Sequence, residues 1–183
     1  MAEYSSLYIK VRIREDKLQQ FFLAKPIQVG IDENLRSWWH SREMYHKPAL
    51  ENMPVYRANS NRAVFDELLN DRNLGSMEQY DAASQSWIFI SVFYSENYRE
   101  ILPMLALLKT LAGYQEKEGK GLALVYDFYW GGTTVMALLE FSDQQVLFKD
   151  FTHPGQIESS VMDTVNRELE TAVKVLNKQF EDE

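Results

Sequence analysis

The chain has 183 residues, 45% hydrophobic and 25% charged, a composition that suits one folded domain and excludes an intrinsically disordered chain. Its 27 acidic against 19 basic residues leave a net charge of −8 with no dense Lys/Arg cluster, which disfavours nucleic-acid backbone and anionic-membrane binding. The lack of cysteine excludes disulfides, thiolate zinc sites, iron–sulfur clusters and cysteine nucleophiles together.

Met1 to Lys10 carries no basic n-region and no apolar h-region, so no signal peptide is expected. From Ser6 to Ile13, Leu7, Ile9, Val11 and Ile13 alternate with Tyr8, Lys10 and Arg12, the period of a half-buried strand. Glu15 to Ala24 predicts a short helix with Leu18, Phe21 and Phe22 on one side, stopped before Pro26. Asp32 to Lys47 predicts a second helix ending before Pro48, and Pro48 to Ala58 a loop. A third helix, capped by Asn59, Ser60 or Asn61, is expected through about Asn73 with Val64 and Leu68 inward. The polar stretch Leu74 to Gln85 reads as a connection.

Ser86 to Tyr94 is a dense β-branched and aromatic run suited to a central strand. A helix follows from Ser95 to about Gly113, kinked by Pro103 or beginning at it. The longest apolar stretch, Ile101 to Gly113, is too short to span a bilayer, and a cytoplasmic location is the default expectation. Gly121 to Trp130, Thr133 to Phe141 and Gln145 to Phe151 are three strand candidates, turned at Gly131-Gly132 and Ser142-Asp143. That register would set Asp127 opposite Met136 and Glu140 opposite Ala123. Pro154 opens a last helix with an apolar stripe from Ile157 to Phe180. The order β-α-α-α-β-α-β-β-β-α predicts an α+β fold: one domain over 1–183, an antiparallel-rich sheet of about five strands, and helices mainly on one face. It is compatible with a ferredoxin-like variant.

Catalytic signatures are missing. His40 and His46 lie six apart, about 120° off one helical face, and make no zinc-protease pair even with Glu43 between them. There is no nucleophile elbow, and Gly119-Lys120-Gly121 lacks phosphate-loop spacing and precedes a strand. No cofactor and no metal are therefore expected. The distinctive feature is aromatic: Trp38, Trp39 and Tyr45 in one helix, and Tyr126, Phe128, Tyr129 and Trp130 leading into one hairpin. Exposed Trp and Tyr beside Arg is the composition of an interface hot spot. Trp38, Trp39, Arg42, Tyr45, Asp127, Tyr129 and Trp130 are thus the candidate protein-binding residues.

In size, acidity and lack of catalytic signatures the chain resembles the small cytoplasmic immunity proteins that neutralise antagonistic bacterial toxins. The resemblance is one of composition and rests on no specific residues. It implies a non-catalytic module that meets a basic toxin domain through an acidic, aromatic-centred surface. The other expectations are a small enzyme or ligand-binding domain with a cleft on the open face of the sheet, and a subunit of a larger assembly. A homodimer through the last helix or the Trp-bearing helix is also compatible with the pattern.

Overall fold

A computed structural model describes residues 2–182. Its elements are β1 (Ser5–Arg12), α1 (Glu15–Leu23), α2 (Glu33–Ser41), α3 (Asn61–Asn70), β2 (Ser76–Asp81), β3 (Ser86–Ser95), α4 (Tyr98–Ala112), β4 (Gly121–Tyr126), β5 (Val135–Ser142), β6 (Gln145–Lys149) and α5 (Ser159–Glu181). The fold is α+β. Six strands form one sheet in the order β2-β3-β1-β4-β5-β6, and all five pairings are antiparallel. β3 and β4 flank β1 from opposite sides and are joined through α4, so they run parallel to each other as one split β-α-β unit.

Strand alternation divides the core into two layers. Leu7, Ile9, Val11, Trp87, Phe89, Ala123, Val125 and Leu139 face α1 to α4. Tyr8, Ile90, Val92, Leu124, Tyr126 and Leu138 face α5, which buries Met162, Val165, Leu169 and Ala172 against them. Four helices therefore cover one face, and a single helix lies across the other. α4 is apolar nearly all round because it lies within the thicker layer, where ten of its fifteen residues are buried. On the thin side one helix cannot cover six strands, so grooves open beside α5.

Four expectations need correction. Leu74 to Gln85 is not merely a connection: Ser76–Asp81 pairs with β3 as an edge strand. Its Glu78 is gripped by Arg62 Nη1 and Nη2 at 2.9 and 2.6 Å and by Trp87 Nε1 at 3.1 Å, so tertiary bonds, not β-propensity, fix it there. α2 ends at Ser41, not Lys47, because Arg42 turns to extended backbone and Lys47 Nζ bonds the carbonyls of Trp39 and Arg42 at 2.5 and 2.7 Å. The strand before Gly131 stops at Tyr126, and β4 meets β5 with Leu122 opposite Glu140 and a bulge after Val125. Asp127 therefore lies past the end of β4 and meets Thr134, not Met136, its N–H donating to Thr134 O at 3.2 Å. The stripe on α5 also runs out early, since Phe180 is exposed beyond the sheet. Among the described residues no helix is long and apolar enough to cross a membrane.

Candidate protein-docking site

The aromatic residues singled out from the sequence separate into two groups. Trp38 and Trp39 are buried, packed edge-on against Tyr98, and Trp38 also meets Phe148. Arg42 is buried too and bonds main-chain oxygens at the end of the sheet. Its Nη1 donates to Phe151 O at 2.9 Å, Met136 O at 3.2 Å and Val135 O at 3.3 Å, and its Nη2 to Asp150 O at 2.8 Å. The guanidinium lies 5.6 Å from the Trp38 ring centroid. No carboxylate pairs with it among the described residues. These three residues fasten α2 to β5 and β6 and are not a docking surface. Tyr45 is 86% exposed, but it stands on the loop after α2, its ring edge-on to His46 and apart from the hairpin rings.

The second group stays at the surface. Asp127 ties the 127–134 connection into a rigid turn. Its main-chain oxygen accepts from Trp130 N at 3.1 Å and Gly132 N at 2.9 Å. Its carboxylate accepts from Thr134 N at 2.7 Å and Thr133 Oγ1 at 3.2 Å. Gly131 and Gly132 take φ of +139° and +63°, backbone that L side chains rarely adopt, which lets the chain double back. The turn holds Tyr129 and Trp130 out at 49% and 38% exposure. Their rings meet edge-on at 5.3 Å, and Tyr129 also meets Phe93 of β3 edge-on at 4.9 Å. Phe93 belongs to the site; its place in an apolar strand gave no sign of this.

Beside the turn, a groove of about 480 Å³ runs between Tyr126 and Phe128 on one side and Met162, Asp163, Asn166 and Glu170 of α5 on the other. No lysine or arginine lines it among the described residues. Tyr126 donates its hydroxyl to Asn166 Oδ1. Burial first, then the charges of Asp127 and Glu170, raises its phenol above the usual value, so it remains a neutral hydrogen-bonding group. The arrangement offers exposed rings, a fixed backbone and negative charge, but no nucleophile paired with a base. His40, Glu43 and His46 lie in two segments, the helix end and the loop after it, and no metal-holding cluster of three His, Asp or Glu forms among the described residues. His153 caps the turn before α5, its Nδ1 accepting from Gly155 N at 2.9 Å. Comparison with known proteins places no relative beside these features: no family model, no curated protein and no solved structure matches the chain.

Proposed function

We propose that the chain is a non-catalytic cytoplasmic protein-binding module. Its partner is a basic protein surface, with a toxin domain neutralised by an immunity protein as the form that the size and acidity suit. One observation carries this reading: a turn locked by Asp127 holds Tyr129 and Trp130 exposed beside an acidic groove, while the chain's other three tryptophans are buried. Large rings held in one conformation lose little entropy on binding, and exposed Trp and Tyr are the residues most often found as interface anchors. Asp163 and Glu170 on the groove wall, with a chain charge of −8, favour a cationic partner and would speed its approach.

The direct test is affinity capture from the cells that make the protein, identification of the captured chain, and reconstitution from purified components. An association rate that falls by about tenfold or more as salt rises from low to physiological strength is expected of an acid–base encounter. A salt-independent rate, or an acidic partner, contradicts the charge argument.

A further inference from the structure

On the opposite flank of α5 the chemistry reverses. Arg12 N bonds Lys120 O at 2.8 Å, which places Arg12 and Lys120 directly across from one another on β1 and the strand leading into β4. Residues so paired share a face, and the pairing of Lys10 with Leu122 shows that it is the α5 face. Like charges directly opposite destabilise a sheet unless something neutralises them. Lys10 is neutralised: its Nζ bonds Glu168 Oε1 at 2.8 Å. Arg12 and Lys120 form no ion pair among the described residues, although the chain carries 27 acidic groups. Glu140 and Glu158 line the neighbouring end of the depression without reaching ion-pair distance of either cation.

The two cations stand at the mouth of a groove of about 510 Å³ floored by Leu122, Val161 and Val165. It continues past Leu122 and Val161 into a second depression of about 380 Å³ that adds Leu138, Phe151 and Ile157. Volumes of this order, with apolar walls and a few convergent polar groups, are those of small-molecule sites. We propose that this groove binds a small amphipathic anion. A carboxylate or phosphate head sits between Arg12 and Lys120, and an aliphatic tail lies along Leu122, Val161 and Val165. The guanidinium fork suits either head bidentately. The inference is independent of the docking reading, since the groove that holds Arg12 and Lys120 lies on the opposite flank of α5 and shares no lining residue with the docking groove; only its far extension reaches Ile157, which borders both.

Calorimetric titration of the intact chain with octanoate, octyl phosphate, 1-octanol and inorganic phosphate tests it. One or both amphipathic anions should saturate a single site with Kd below about 1 mM, while the uncharged alcohol and the headgroup alone bind at least about tenfold more weakly. Saturation by only one of the two anions names the head. The Arg12→Gln/Lys120→Gln double variant, altered at two exposed side chains, should lose at least about tenfold in affinity. Without ligand it should melt no lower than the parent, because it removes a repulsion. Arg36→Gln, on α2, should leave binding unchanged. Failure of both anions to saturate, equal binding of 1-octanol, or unaltered affinity in the double variant overturns the proposal.

Discussion

Arg42, like Trp38 and Trp39 beside it, shows how an interface-like composition can belong to a buried cluster. A cation beside two tryptophans has the composition of an interface, yet this one is interred and bonded to four main-chain oxygens. Asp150 and Phe151 lie past the end of β6, and Met136 O also accepts from the Tyr98 hydroxyl at 3.0 Å, so the guanidinium and that phenol together meet main-chain acceptors at this end of the sheet. Arg42→Met leaves buried carbonyls unmet and should cost at least about 3 kcal/mol in urea unfolding. Arg42→Lys keeps the charge but cannot span the same acceptors, and should fall between the two. A loss under about 1 kcal/mol for Arg42→Met would show the bonds to be dispensable. Asp127 was misread in the complementary way. As a strand residue it would be an isolated carboxylate, but the sequence Asp-Phe-Tyr-Trp-Gly-Gly gives it a turn of main-chain donors to accept from.

At the scale of elements, the well-read ones were those whose burial is periodic. Leu7, Ile9 and Val11 mark β1, Leu18, Phe21 and Phe22 mark α1, and Ser60, one of the three expected cap candidates, caps α3, accepting from Ala63 N at 3.1 Å. β2 escaped because an edge strand needs no apolar alternation, and its Glu78 and Gln79 read as loop. The end of α2 escaped because contacts distant in sequence decide it. Its start was legible: Asp32 accepts from Leu35 N at 2.8 Å and from Lys109 Nζ at 2.6 Å. Burial alone would raise the Asp32 carboxyl, but the bonds from Lys109 and Leu35 outweigh it and hold the group below the usual carboxylate range. A depressed folded-state value contributes stability above the unfolded value of about 4 that is lost as pH falls through the folded one. Asp32→Ala should therefore cost about 1 kcal/mol at neutral pH, and the gap from the parent should close below pH of about 4. A constant gap across that range would show that the ionised cap contributes nothing.

For the whole molecule, the uneven coverage of the sheet organises everything else. Four helices bury one face so thoroughly that Tyr94 is enclosed there, and its hydroxyl meets that of Tyr56 at 3.3 Å. Burial, foremost, with the charge of Glu67 and Glu100 behind it, pushes Tyr56 up to about 12 despite the opposing bond to Tyr94. Burial likewise raises Tyr94. Groups raised in the native state favour folding fully below the unfolded phenol value of about 10, and that advantage drains away as pH climbs toward about 12. Melting temperature should hold level to pH of about 9 and then fall, and the fall should be shallower in Tyr56→Phe. Identical alkaline slopes would remove Tyr56 from the explanation. The thin face does the opposite: one helix leaves an acidic aromatic groove on one flank and a cationic apolar one on the other. That division was not legible from composition, because the cations of β1 and the acids of α5 are far apart in sequence and meet only when α5 lies across the sheet.

The claim on which the functional reading depends is that Tyr129 and Trp130 are held outward to anchor a partner. Calorimetric titration of the purified partner against the parent chain and Tyr129→Ala/Trp130→Ala measures it most directly, with the two melting temperatures recorded alongside. The double variant should lose at least about 2 kcal/mol of binding free energy, roughly thirtyfold in Kd, while its fold stays intact. Equal affinity of parent and variant for that partner would contradict the account.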